Sequence, residues 1–355
     1  MKVFGIRLKV CITFLLVAVG TFIFWGYYEV HVERKPDIVS VLATKNKLFR
    51  TVPLKYTESI PQIQNSTLKI LNIAKQINAR GLPVLLALVN NAYLSFTYSW
   101  LCNTMYMGIH RQVLFITTDS YSRKRIKRDW PAVKVVAVLD LNDLSGAQEY
   151  SKAGYVRLMV RRTELILAML QERVMMLLFE VDCLWFANPL PLCKKEAKGY
   201  DIVASAISDR PGMIAAGFLY MLPTNRMITF WKKLTERLQR LGKQIQHFSE
   251  GRSISESDND QTYFNRLVKD KYAGIKVNVL PFEIFADGRW YKLSDQEKED
   301  IDPLIVNNNW VSGNKLKIRR AKKFGHWFWK EKSGKCDKTL VNDTVYQVDE
   351  KDLNF

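Results

Sequence analysis

The sequence predicts an α/β fold: a Rossmann-like, mostly parallel sheet with flanking helices, preceded by one N-terminal transmembrane helix. Three observations predict it. Residues 10–28 carry no charged side chain, and from Leu82 onward short apolar runs alternate with amphipathic stretches. One of those runs, VMMLLFEV at 174–181, meets its first carboxylate only near its C-terminal end.

The charge-free run is about as long as a helix crossing a hydrocarbon core near 30 Å thick. Lys2, Arg7 and Lys9 precede it, and Trp25, Tyr27 and Tyr28 stand at its far end. Positive charge stays cytosolic, so the remainder is sent across the membrane as a single-pass type II protein of the secretory pathway. A cleaved signal peptide competes with this reading, but the run exceeds a usual h-region and no small-x-small site follows. The expected organisation is a cytosolic N-terminus (1–9), an anchor (10–28), a stem (29–80), a main lumenal domain (81–332) and a tail (333–355). The stem carries Pro36, Pro53 and Pro61, has no sustained period and contains at most one short helix.

A lumenal site permits disulfides and glycans. Asn65-Ser66-Thr67 and Asn342-Asp343-Thr344 are sequons, read as surface loops. Of five cysteines, Cys11 lies in the anchor, leaving Cys102, Cys183, Cys193 and Cys336 with three possible full pairings. The four histidines are scattered and no C-x-x-C occurs, which argues against structural zinc. The formal charge of +18 raises the question of nucleic acid. The lumenal compartment argues against that partner, and basic residues spread over amphipathic helices read as a solvated face.

Buried strands are expected at 83–89, 112–117, 133–139, 174–181, 202–206 and 217–222. Between the third and fourth, Val156, Met159, Val160, Thr163, Ile166, Leu167 and Leu170 recur at helical spacing, with Arg157, Arg161 and Glu164 on another face. A second helix follows Pro223 and stops at Gly242. A third begins near Asp258, where Asp258 and Gln261 have capping-box spacing.

The chemistry concentrates after the fourth strand. In open α/β sheets ligands bind beyond the carboxyl ends of the strands. Glu180 and Asp182 are two residues apart, so in extended conformation both project from one face and grip a divalent ion together. Magnesium or manganese held this way neutralises charge on a departing diphosphate. The competing reading makes them the polar end of a buried strand, salt-bridged to Arg or Lys.

Residues 155–189, with an arginine-bearing helix, a buried strand and carboxylate-x-Asp followed by Leu184-Trp185-Phe186-Ala187-Asn188-Pro189, resemble the eukaryotic nucleotide-diphospho-sugar transferase family. That family includes plant pectin xylosyltransferases and extensin arabinosyltransferases. Ala216-Gly217-Phe218-Leu219-Tyr220, Pro223-Thr224-Asn225, Asp260-Gln261 with Phe264-Asn265, Asn308-Asn309-Trp310 and Gly325-His326-Trp327 extend the likeness over about residues 82–330. The resemblance implies the glycosyltransferase-A type fold, donors such as UDP-galactose, UDP-xylose or UDP-arabinose, Mn2+ as the usual metal (with Mg2+ as the other candidate), and retention of anomeric configuration.

Two positions depart from the family pattern: Glu180 stands where Asp is usual, and Asn307 where His is often found. His326 is then a candidate third metal ligand beside Asp182 and Glu180. Asn90, Asn91, Thr117, Asp119, Arg157, Gly217, Glu180 and Asp182 are candidates for donor binding, and Asp260 and Gln261 for catalysis at the sugar. Trp185, Trp290 and Trp310 are candidates to stack on sugar rings. The expected activity is transfer from a UDP-sugar to a glycan or glycoprotein acceptor by a Golgi membrane enzyme with its catalytic domain lumenal. The alternative is a catalytically inactive glycan-binding or scaffold protein of the same fold.

Overall fold

A computed structural model describes residues 60–210 and 212–345. The anchor at 10–28 and most of the stem lie outside the described residues. Among the described residues no helix is long and apolar enough to cross a membrane.

The element order begins α1 (Ile60–Asn78), β1 (Val84–Val89), α2 (Leu94–Asn103), β2 (Val113–Thr117), α3 (Ser120–Asp129), β3 (Lys134–Ala137) and α4 (Ala153–Gln171). It continues with β4 (Met176–Leu178), β5 (Cys183–Trp185), α5 (Leu190–Glu196), β6 (Ile202–Ala206), β7 (Ile214–Met221), α6 (Asn225–Gln244) and α7 (Asp260–Lys269). The last elements are β8 (Val277–Leu280), β9 (Phe285–Ala286), α8 (Asp295–Glu299), β10 (Ile305–Asn307), α9 (Asn314–Lys323), β11 (Trp329–Lys330), β12 (Lys335–Cys336) and α10 (Lys338–Thr344).

The main sheet has the order β3-β2-β1-β4-β7-β6-β8. β3, β2, β1 and β4 run parallel, and β7 is antiparallel to both β4 and β6. The chain winds outward from β1 to β2 and β3, then returns to place β4 on the other side of β1. The crevice at the carboxyl ends of β1 and β4 is therefore the switch point at which such sheets bind ligands. β5 turns away and pairs antiparallel with β10, which also carries β9.

β1 shows why the strands must be buried on both faces. Val84 and Leu86 pack with Leu114, Met176 and the apolar stripes of α1, α4 and α6, whereas Leu85, Ala87 and Val89 pack with Phe96, Trp100, Phe115 and Trp185. That alternation is the period of two of a pleated strand, and it puts a helical layer on each side. α6 presents Met227, Phe230, Trp231, Leu234, Leu238 and Leu241 inward.

Several boundaries differ from those expected. β4 ends at Leu178 because the chain turns at Glu180, where Cys183 N donates to Glu180 O at 3.2 Å. α6 runs past Gly242 to Gln244. The cap of α7 is Asn259, whose side chain accepts from Thr262 N, rather than Asp258. α1 occupies the stretch read as stem, yet Ile70, Ala74 and Ile77 are buried in the core. Asn65 and Asn342 are exposed but sit in α1 and α10 rather than in loops.

Of the three possible pairings the structure forms one bridge, Cys102–Cys336, and leaves Cys183 and Cys193 as buried thiols. The bridge fastens α2 to β12, so residues 333–345 of the stretch read as tail belong to the folded unit, with Val341 buried as well; residues 346–355 lie outside the described residues.

His110 supplies a pH dependence. It lies against Trp100 and Trp130, with Nε2 3.0 Å from Thr104 Oγ1, and burial pushes its pKa down to about 4. The folded value is below the ordinary 6.5, so its contribution to stability is complete above pH 6.5 and is lost as pH falls toward 4. We expect Tm to drop by a few degrees between pH 7 and 5, and H110Q to flatten that slope, as read by calorimetry. His326, also held at about 4 by burial, keeps part of the slope in the variant.

Candidate active site

A cleft opens at the carboxyl ends of β1 and β4. The end of β1 delivers Val89 and, just beyond it, Asn90; the residues after β4 deliver Phe179 and Glu180, the following turn brings Asp182, α4 contributes Tyr155, Met159 and Arg162, and α9 contributes Lys317. The turn after β4 is held from below by Asn103. Its side-chain amide donates to Trp185 O and its carbonyl accepts from Trp185 N, both at 2.8 Å, which fixes β5 against α2.

Glu180 and Asp182 share this cleft although the backbone between them is turned rather than extended. Burial and the neighbouring Asp182 carboxylate push the Glu180 pKa up, while Lys317, Arg162 and a 3.2 Å bond from Asn307 Nδ2 oppose that rise. Gly217 lies directly against the Glu180 carboxyl: a Cβ there would stand 2.6 Å from its carbon. The glycine is needed for this close approach, not for an unusual backbone angle.

Asp182 meets Lys317, whose Nζ donates to Oδ2 at 2.6 Å. Burial works against the ammonium, but Asp182 and Tyr93 raise the Lys317 pKa above its ordinary value, so the lysine is charged. A second cation, Arg162, lines the cleft and is held at 2.7 Å by Asp260 Oδ2. Asp260 is itself buried, with Tyr155 OH 3.5 Å from its other oxygen. It therefore positions Arg162 and does not line the cleft.

The oxygen set tests whether a divalent cation fits. Asn307 Oδ1 is buried without a hydrogen-bond partner, on the side chain whose Nδ2 bonds the Glu180 carboxylate. Carboxylate and amide oxygens are the donors that magnesium and manganese prefer, and such ions keep further positions for substrate phosphates and water. The residues fit the ion on that ground. Among the described residues no three His, Cys, Asp or Glu groups assemble a ligand set by themselves. The structure thus does not bring His326 to the acids as a third ligand. Its Nδ1 is 3.1 Å from Tyr291 OH, in a nest of Phe186, Trp290 and Phe324.

The other candidates divide between the cleft and the structure around it. Asn90 lines the cleft while its side chain braces Leu144 O, Gly146 O and Tyr93 N. Asn91 is exposed and does not line it; Tyr93 does. Thr117 Oγ1 donates to Asp119 O, and Asp119 caps α3 through Ser122, so both build the turn after β2. Arg157 Nη1 donates to Phe248 O at 2.9 Å, away from the cleft. Gln261 accepts from Ala216 N and donates to Ile214 O, which uses its amide to clamp β7. Trp185 is fully buried core.

Sequence reasoning missed Arg162, Lys317 and Tyr93. Arg162 was within reach: it follows Tyr155 by seven residues and Met159 by three, so helical spacing puts all three on one face. Nothing local distinguishes Lys317 from its neighbours in the lysine-rich α9.

The profile of the nucleotide-diphospho-sugar transferase family matches residues 108–321. A UDP-D-xylose:L-fucose alpha-1,3-D-xylosyltransferase of Arabidopsis thaliana is 25% identical over 72% of this chain and 71% of its own. A beta-arabinofuranosyltransferase of the same plant is 20% identical over 81% of this chain and 55% of its own. Among solved structures, the glycosyltransferase GlyE of Streptococcus pneumoniae superposes with a TM-score of 0.45 at 14% identity, covering 74% of this chain and 65% of that one.

Proposed function

The chain belongs to the nucleotide-diphospho-sugar transferase family and is thus a nucleotide-sugar-dependent glycosyltransferase, and on that premise we propose that it moves a sugar from a UDP-sugar to a hydroxyl of a glycan or glycoprotein acceptor, with retention of configuration. The observation that carries the reading is the meeting of two carboxylates and two cations, Glu180, Asp182, Lys317 and Arg162, in one cleft at the sheet's switch point.

In the proposed reaction the C1–O bond to the diphosphate breaks with its electron pair, and a new C1–O bond forms to the acceptor oxygen. The acceptor proton leaves with the departing phosphate. Lys317 and Arg162 place fixed positive charge where negative charge develops, a stabilisation that needs no reorganisation during the step. Glu180, Asp182 and Asn307 would hold Mn2+ or Mg2+, which when bound neutralises the diphosphate. The proposed setting is the Golgi lumen behind an N-terminal anchor, with no nucleic acid partner.

A second reading, a glycan-binding or scaffold protein without turnover, draws on the same ion pair, because Lys317 already engages Asp182. Release of UDP from a panel of UDP-xylose, UDP-galactose and UDP-arabinose separates the two. The transferase reading expects slow hydrolysis of at least one donor, faster with Mn2+ than with chelator. No release from any donor, with glycan binding retained, favours the second.

A further inference from the structure

Trp310 stands apart from the other aromatic residues of the domain. It is 37% exposed, and its backbone is left-handed with φ 64°. For a bulky residue that conformation is a true outlier, and it persists only where the surroundings over-determine it. Among the described residues the other non-glycine residues with positive φ are Ser151, Arg173, Lys271 and Ala273, none of them aromatic.

The surroundings do over-determine it. The segment leaves the cleft at Asn307, bonded to Glu180, and returns at Asn314, whose side chain donates to Ala92 O at 2.8 Å beside Tyr93. Between them Arg320 donates to Asn308 Oδ1 at 2.8 Å and to Asn309 O. Gly288 N donates to Asn309 Oδ1 at 2.6 Å, and a Cβ on Gly288 would meet Asn309 O at 2.1 Å. Three residues span at most about 11 Å, so the backbone of Trp310 stays within that distance of Asn307, whose side chain bonds the cleft residue Glu180. Lys292 Nζ sits 5.0 Å from its ring centroid, a cation–π contact that holds the indole in place.

A pre-ordered, partly exposed indole one short chain segment from the cleft is a platform on which the apolar face of a sugar ring can stack at little entropic cost. We propose that Trp310 binds the ring of the acceptor glycan that presents the attacking hydroxyl. The assignment rests on the transferase reading above. It makes Trp310 a determinant of acceptor recognition and gives it no part in holding the donor.

The test uses the full chain with the best donor of the UDP-sugar panel and the methyl glycosides of fucose, galactose and xylose as acceptor probes. We expect W310A to leave UDP release without acceptor unchanged and to raise KM for the best glycoside about tenfold or more, with kcat changed less than threefold. W310F restores most of the loss. W310G, which accepts positive φ freely, has the KM of W310A but a higher Tm than W310A. An unchanged acceptor KM in W310A overturns the proposal, as does a fall in donor hydrolysis of the same size. Absence of donor hydrolysis in the unmodified chain overturns the transferase reading itself, and the platform with it.

Discussion

Replacing Asp182 with Asn lowers sugar transfer by about 10^2–10^3-fold, the loss typical when a group that organises charge at a reacting centre is removed. Asn is nearly the same shape, so the loss reports charge. It withdraws one carboxylate from the proposed cation set and frees Lys317 from its 2.6 Å partner. D182A has a second consequence. Side-chain exposure is 3% for Asp182 and 17% for Lys317, so the variant strands a charge in a largely buried place. Breaking such a pair from one side costs about 3–5 kcal/mol, whereas replacing both partners with apolar groups of similar volume is close to neutral. D182L/K317M therefore regains most of the Tm lost in D182A, yet transfers no sugar. Calorimetry and donor hydrolysis on the same four proteins check both halves. Recovery of activity in the double variant contradicts the role given to the pair.

Removing the disulfide is the largest stability change expected. Cys102 and Cys336 are 234 residues apart, and closing so long a loop restricts the unfolded chain by about 5 kcal/mol in the chain-entropy model. At about 2–4 °C per kcal/mol for a domain of this size, C102S/C336S melts roughly 10–20 °C below the unmodified chain. The same shift follows treatment of the native protein with reductant. Cys183 and Cys193 are buried with thiol pKa values raised by burial, so they do not form a compensating bridge or react at neutral pH. Equal melting of oxidised and reduced protein contradicts this account.

The sheet was legible because its strands are short apolar runs buried on both faces, and β6 matches its expected residues without adjustment. Strand ends were less so: apolar character continues through Phe179 and Val181 after the ladder has stopped, since those side chains fill the core from a turn. α1 was hidden by a mixed composition in which, among the described residues, Ile70, Ala74 and Ile77 are buried and Leu71 and Ile73 pack partly beside them. In the site, Glu180, Asp182 and Gly217 were readable because one strand end and one close approach place them together. Thr117, Asp119 and Gln261 sit in motif positions and serve turns and strand clamping. Lys317 is separated from Asp182 by 135 residues, and no local pattern predicts a pairing made by the return of α9 to the sheet.

The central claim is that a nucleotide sugar's diphosphate binds at the carboxyl ends of β1 and β4, against Asp182 and Lys317. An anomalous-scattering map from crystals grown with Mn2+ and UDP tests it most directly. The account predicts a manganese peak bonded to the Asp182 carboxylate, with phosphate oxygens within hydrogen-bond reach of Lys317 or Arg162. A diphosphate bound elsewhere on the sheet, or a manganese ion remote from both acids, contradicts it.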